Sequence, residues 1–233
     1  VEKLIAMAEK HHSDIIVTGY YREFVGQEIK VSPSIRNGVY TTEEIKNKIF
    51  PKLIHDDKSC SHSISTFSWG KLFKRELLFD HQMDVPMDIS LGEDTVLTYP
   101  CIVSANSICV IDSPLYFYRQ RAKSMLKSTM AAEDEIFKIN RMCDFLALKV
   151  SGYGFDFNSQ IESYRLILLA IRTGGFFGKE NVPEWLFLNA LNFKDKKIAL
   201  YSSGAFGQQM WRKFRDANLN FCSWFDQDYY ESQ

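Results

Sequence analysis

The sequence has no cysteine pair at C-x-x-C spacing, no histidine cluster at ligand spacing, and no apolar run near the ~18 residues a membrane-spanning helix needs. Its five cysteines (Cys60, Cys101, Cys109, Cys143, Cys222) are scattered, and an odd count gives no complete disulfide framework. Most have apolar neighbours, as in Cys101-Ile-Val103 and Ile108-Cys-Val110, so buried free thiols in a reducing compartment are expected. Charge of either sign is not in excess. Lys plus Arg number 28 and Asp plus Glu 29, a net charge of −1, which excludes the overall electrostatic footprint of a general nucleic-acid binder. There is no internal repeat, no low-complexity tract and no secretory signal. The chain opens on Val1 and reads as a cytoplasmic piece of something longer. What it does have is a globular composition over 233 residues: 45% apolar, 24% charged, and a high 14% of aromatics, which suits a packed core or a site with stacking surfaces.

Leu4, Ile5 and Ala8 lie at helical spacing, and Ser13-Asp14 leads into the short β-branched strand Ile15-Ile-Val17. Residues 22–40 are polar, with Pro33, Asn37 and Gly38, and predict a long loop or ragged hairpin. Thr41-x-x-Glu44 is a capping box that opens a helix to about Pro51. Residues 69–78 fit a strand followed by a helical turn. Gly92-Glu-Asp94 opens another helix, which Pro100 is expected to kink or end. Ser107–Asp112 and Leu115–Arg119 read as two strands around Ser113-Pro114. Helices follow over 131–150, 158–173 and 184–192, and then a strand at 197–201, a helix at 205–218 and a strand at 220–225.

Glu93 and Asp94 carry the most chemistry. Two carboxylates in a first helical turn complement its exposed N–H groups, and this alone accounts for them structurally. A fixed, ionised carboxylate is also what removing a proton from an attacking hydroxyl requires. The local pattern does not choose between these readings.

The surroundings add a resemblance. Trp69-Gly-Lys-Leu-Phe-Lys-Arg-Glu-Leu-Leu78 precedes Gly92-Glu-Asp94, and Ile111-Asp-Ser-Pro-Leu-Tyr-Phe-Tyr-Arg-Gln-Arg-Ala-Lys-Ser124 follows it. In order and spacing, these segments resemble the acceptor-side half of family 2 glycosyltransferases with the GT-A fold, and Ser13-Asp-Ile-Ile-Val-x-Gly19 looks like that family's strand after the donor site. The resemblance covers about residues 1–126. It implies that Asp94 is the general base of an inverting transfer, that Glu93 and Trp69 bind the acceptor, and that Arg119 and Arg121 face the diphosphate. Without it, Trp69 reads equally as a core residue, Arg119 and Arg121 as a solvated strand end, and Lys71 and Lys123 as surface charge. The partners implied are a nucleotide-sugar donor and a saccharide or lipid-linked acceptor. Surface polysaccharide synthesis at the cytoplasmic membrane face would be the setting, with peripheral contact through aromatics such as Phe176, Phe177 and Trp185.

In that family an Asp-x-Asp motif holds a divalent metal, Mg or Mn, on the diphosphate. The one Asp-x-Asp here, Asp226-Gln-Asp228, comes after the Glu-Asp pair, in the wrong order. A metal is therefore expected in a full-length parent and none in this piece, which is expected to be inactive alone. His62 and His81 have no partner at ligand spacing. In the tail, Ser202-x-Gly204-x-x-Gly207 after the strand at 198–201, with Asp226 some 20 residues on, resembles a dinucleotide-binding fingerprint that begins with Ser in place of Gly. The expected architecture is α/β: a partial GT-A-like mixed sheet with helices over 1–129, a helical annex over 130–193, and a truncated Rossmann-like β-α-β unit over 194–233. The rival readings are a non-catalytic binding module and a nucleotide-binding protein using Gly204, Gly207 and Asp226.

Overall fold

The computed structural model describes residues 2–24, 27–56, 62–119, 132–172, 197–201, 211, 215 and 220–225. Its contacts divide the chain into two units, Val1–Arg165 and Leu166–Gln233.

The first unit is built on a mixed sheet. Its spine is β1 (Ile15–Phe24), because the run Ile15-Ile-Val17 is β-branched and buried on both faces. On one side β1 pairs in parallel with β5 (Ser107–Arg119), which in turn pairs antiparallel with β3 (Gly38–Thr41). On the other side β1 is shared by two antiparallel partners. Its first half faces β4 (Lys71–Phe73) and its second half faces β2 (Gln27–Val31). The polar segment 22–40 thus contains a true hairpin, β1–β2, and the strand expected at 15–17 runs seven residues further, to Phe24.

One strand, β5, replaces the two expected around Pro114. The register with β1 slips around Gly19, which lies opposite Pro114, so the proline occupies an irregularity where a lost N–H costs no regular ladder bond. Gly19 itself is required by close approach: a Cβ there would sit 2.8 Å from the Val31 carbonyl oxygen of β2.

The helices begin with α1 (Glu2–His11). The capping box at Thr41 is formed, with Thr41 Oγ1 accepting from Glu44 N–H and the Glu44 carboxylate accepting from Thr41 N–H. It opens α2 (Thr42–Glu44), which continues through a π turn, Ile45–Ile49, into a 3-10 turn, Phe50–Lys52. After α3 (Arg75–Gln82) comes α4 (Glu93–Ser104), which is uninterrupted. Pro100 neither ends nor divides it. The Ser104 hydroxyl donates to the Pro100 carbonyl at 2.7 Å near the helix end. α4 packs on α5 (Ala132–Val150), whose buried stripe Ile139, Met142, Cys143, Leu146 and Val150 follows helical spacing. Ion pairs from Arg141 to Asp88 and from Lys149 to Asp84 fasten α5 to the segment between α3 and α4.

α6 (Asn158–Arg172) crosses the division at Arg165. Within the first unit its Gln160 is buried at 7% exposure. Gln160 Oε1 accepts from the N–H groups of Ile54 (2.9 Å) and His55 (3.2 Å), and its amide donates to the Phe50 carbonyl (2.7 Å).

In the second unit, β6 (Ile198–Tyr201) and β7 (Phe221–Phe225) pair in parallel, as a β-α-β unit requires. Trp211 and Arg215 are helical, and the helices expected over 184–192 and over the rest of 205–218 lie outside the described residues. Cys101, Cys109 and Cys143 are buried free thiols as expected, whereas Cys222 is exposed; Cys60 lies outside the described residues. No helix among the described residues is long and apolar enough to cross a membrane.

Candidate functional site

The start of α4 is shaped by Gly92, which caps the helix at φ 75° with no side-chain cap; its carbonyl accepts from the N–H groups of Thr95 (2.9 Å) and Val96 (3.1 Å). A Cβ on Gly92 would meet Met142 Cγ of α5 at 2.9 Å. Left-handed backbone and close packing both demand glycine here. Gly92→Ala is expected to lower stability by about 2–4 kcal/mol, the sum of a left-handed non-glycine residue and a forced contact on α5. A urea titration checks this, and a loss below about 1 kcal/mol would contradict it.

The next three side chains diverge. Glu93 is exposed, Asp94 is half-buried, and Thr95 is buried with its hydroxyl 3.4 Å from the Tyr164 hydroxyl of α6. Tyr164 also receives the edge of the His62 ring, and His62 Nδ1 lies 3.0 Å from the Ile54 carbonyl oxygen. Thr95 therefore ties the first turn to the interior while Asp94 remains accessible.

Trp69 precedes β4 on a segment fixed by Thr18, whose N–H and hydroxyl both donate to the Gly70 carbonyl, at 3.1 and 3.0 Å. Its half-buried indole stacks on Phe67 (4.4 Å, 9°), Tyr116 (4.6 Å, 19°) and Tyr118 (4.9 Å, 9°), and Tyr20 meets it edge-on at 5.0 Å. Alternation along β1 and β5 puts Tyr20, Tyr116 and Tyr118 on one sheet face, while Tyr21 and Phe117 stack on the other. An aromatic wall with Trp69 at its centre thus adjoins β4, a surface type suited to the apolar face of a sugar ring. Sequence reading singled out Trp69 alone. The alternation Tyr116-x-Tyr118 was the available signal for its partners.

Lys71 is the larger omission. It is half-buried rather than a free surface charge: in β4 it lies opposite Val17, a residue 3% exposed, and its ammonium donates to the Ser65 hydroxyl (3.2 Å) and the Phe67 carbonyl. Burial pushes its pKa down to about 7, against the opposing pull of the Asp94 carboxylate. Burial likewise lowers the His62 ring, with Lys71 and His55 adding to the effect. A lysine whose folded pKa lies below its unfolded value near 10.4 leaves the unfolded state holding more protons between about pH 7 and 10. Its penalty is full below pH 7 and is relieved as pH rises. Buried Tyr99, Cys101 and Cys143, all raised by desolvation, act in the opposite sense at alkaline pH. The comparison with Lys71→Met isolates the lysine: the stability of the native chain relative to this variant should climb from pH 7 to 10, at up to about 1.4 kcal/mol per pH unit. Parallel curves across that range would contradict the placement.

Arg119 ends β5 and donates through Nε to Glu23 of β1 at 2.7 Å, with its side chain 69% exposed. That carboxylate raises its pKa further. Arg121, Lys123, Ser202, Gly204, Gly207 and Asp226 lie outside the described residues, as do Phe176, Phe177 and Trp185. His81 Nε2 lies 2.7 Å from the Ser104 hydroxyl. Among the described residues no group of three or more His, Cys, Asp or Glu side chains could hold a metal ion. These residues do not fit a divalent cation.

No protein-family model matches the chain. It is similar to two proteins of Bacillus subtilis (strain 168) that carry glycosyltransferase as a provisional name. EpsJ is 25% identical over 125 residues and EpsH 22% over 156, covering 53% and 66% of this chain. The same alignments take in 34% and 41% of those proteins, so the chain spans about a third to two-fifths of their length. Among solved structures, S. aureus TarS 1-349 in complex with UDP-GlcNAc matches with a TM-score of 0.51 at 20% identity, over 82% of this chain and 51% of that one. The mixed sheet and flanking helices, expected from sequence as a partial GT-A-like arrangement, are accordingly similar to the TarS glycosyltransferase fold. The chain thus shares its fold with TarS and part of its sequence with two proteins named as glycosyltransferases.

Proposed function

We propose that this chain is the acceptor-side portion of an inverting, family 2-type glycosyltransferase in which Asp94 is the general base. The observation that carries this reading is the accessible Asp94 carboxylate, held at a helix start and acting electrostatically on Lys71 of β4, two residues from the Trp69 wall. Fold similarity to TarS and sequence similarity to EpsJ and EpsH support it.

In the proposed step the acceptor hydroxyl oxygen attacks the anomeric carbon of a nucleoside diphosphate sugar. The bond from that carbon to the diphosphate oxygen breaks, the nucleoside diphosphate leaves with the electron pair, and Asp94 takes the hydroxyl proton. A saccharide or lipid-linked acceptor stacks on the Trp69 wall, and Glu93 contacts it from the rim of the site. TarS in complex with UDP-GlcNAc supports a donor of the nucleotide-sugar class. Arg119 reaches the diphosphate by exchanging Glu23 for a phosphate oxygen, together with Arg121. A divalent metal in the parent would neutralise that diphosphate from ligands outside the described residues. Without a donor half this chain does not transfer sugar. In the cell the parent works in surface polysaccharide synthesis, at the cytoplasmic face of the membrane.

The test is a chain extended upstream to include a nucleotide-binding half, supplied with UDP-GlcNAc and other nucleotide sugars and a panel of saccharide acceptors. Acceptor-dependent release of nucleoside diphosphate by the extended chain, and none by residues 1–233 alone, is the expected result. Turnover by the present chain alone, or release indifferent to acceptor, would overturn the reading. The parallel pairing of β6 with β7 favours a second, separate reading for the tail, a dinucleotide site at Gly204, Gly207 and Asp226. Titration of a completed tail domain with NAD and NADP tests it, and no binding removes it.

A further inference from the structure

We propose that β2 is a docking edge for a second copy of this chain: two β2 strands pair antiparallel about a two-fold axis at Ile29, with Glu28 of each opposite Lys30 of the other. An unpaired strand edge is a template for another strand. β2 ends the sheet, and no strand pairs with its outer edge among the described residues. The direction of its backbone groups follows from Gly19. The Val31 carbonyl oxygen lies against Gly19 of β1, 2.8 Å from where a Cβ would sit, so Val31 turns its polar backbone toward β1. Alternation along an antiparallel ladder gives Ile29 the same direction and points the N–H and C=O groups of Glu28 and Lys30 outward. Glu28, Ile29 and Lys30 are all exposed, Ile29 at 55%.

Charge then selects the register. The outward groups admit a two-fold axis at Glu28, at Ile29 or at Lys30. The first and last set like charges directly opposite, which destabilises a ladder. An axis at Ile29 makes Glu28 and Lys30 of the two copies exchange both N–H···O bonds and places opposite charges across each contact. It leaves Ile29 against Ile29 in the non-hydrogen-bonded position, where side chains come closest. Glu28 also lacks a cation. Across the β1–β2 ladder it faces Glu23, which is taken by Arg119 from the β5 side, and it has no ion pair among the described residues. Lys30 of the second copy supplies one. Lys30 meets Asp112 at 3.1 Å, and an ammonium with three donors can hold both carboxylates. Ile29 opposes Arg22 and Arg22 opposes Tyr118, so the pairing carries the face that bears the Trp69 wall from one copy into the other. A five-residue edge falls below the roughly 1,200 Å² of a stable interface, so association is weak and depends on concentration.

Sedimentation equilibrium of the full chain tests this without reference to sugar transfer. It should show a monomer–dimer equilibrium below about 1 mM. Glu28→Lys should weaken association about tenfold or more, because the two-fold axis repeats each reversed pair. Lys30→Glu should do the same. The two changes together restore opposite charges across the axis and should return association to near the native level. Circular dichroism should show all three variants folded, since both positions are exposed. On mild oxidation, Ile29→Cys should cross-link into a covalent dimer beyond any formed by the native thiols, because the Cα atoms of a non-hydrogen-bonded pair lie about 4.5 Å apart. A chain that stays monomeric up to about 1 mM, or a dimer indifferent to either single reversal, overturns the proposal. So does a doubly reversed chain that associates no better than the single variants, or an Ile29→Cys chain that cross-links no more than the native one.

Discussion

Asp94→Asn is expected to lower kcat for sugar transfer by roughly 10²- to 10⁴-fold in a chain extended to include its donor half, the range for losing a positioned general base. The substitution keeps size and shape but leaves an amide that cannot take the acceptor proton. Donor affinity should be almost unchanged, because the lost group acts on the acceptor. Stability should fall little, since removing one charge from a first helical turn costs about 0.3–1 kcal/mol at an accessible position. Asp94 is such a position, whereas Thr95 beside it is locked to Tyr164. A rate within about twofold of the unsubstituted enzyme would exclude Asp94 as the base.

Gln160→Leu should be among the most damaging single changes to the first unit. The leucine fits the buried volume but supplies neither the acceptor for the Ile54 and His55 N–H groups nor the donor for the Phe50 carbonyl. At about 1–3 kcal/mol for each buried group left unmatched, less what the apolar side chain gains, the expected loss is roughly 3–5 kcal/mol. The Phe50 carbonyl keeps its bond from Leu53 N–H, which holds the figure below the full sum. Chemical denaturation monitored by tryptophan fluorescence measures it, and a loss under about 1 kcal/mol would show that the three bonds do not hold α6 to the Phe50–His55 segment. The site is linked to this anchor, because α6 also carries Tyr164, which restrains Thr95 and contacts His62.

Local chemistry was legible in the sequence wherever a residue acts on its own neighbours. The Thr41–Glu44 capping box, the helix opening at Gly92 and the helix expected over 131–150 all depend on short spacings, and all are found. The prolines act in a tertiary context. Pro100 does not end α4: it lies in the helix's buried length, where packing offsets its local cost. Pro114 signals a break, yet the irregular register against Gly19 absorbs it within one strand. Lys71 was illegible because its burial depends on pairing with Val17, a residue 54 positions away, as 71 − 17 shows. The aromatic wall likewise gathers Tyr20, Trp69, Tyr116 and Tyr118 from three separate segments. Sequence offers Trp69 as a platform and the Tyr116-x-Tyr118 alternation as two rings on one face, but not that they meet Trp69.

The account centres on a single displacement in which Asp94 takes the proton of the attacking hydroxyl, and the anomeric configuration of the product reports on that step. Proton NMR of the first product formed by the extended chain should show the configuration opposite to that of the nucleotide-sugar donor. A product with the donor's configuration would contradict the account, because retention requires a different sequence of bond changes from the one assigned to Asp94.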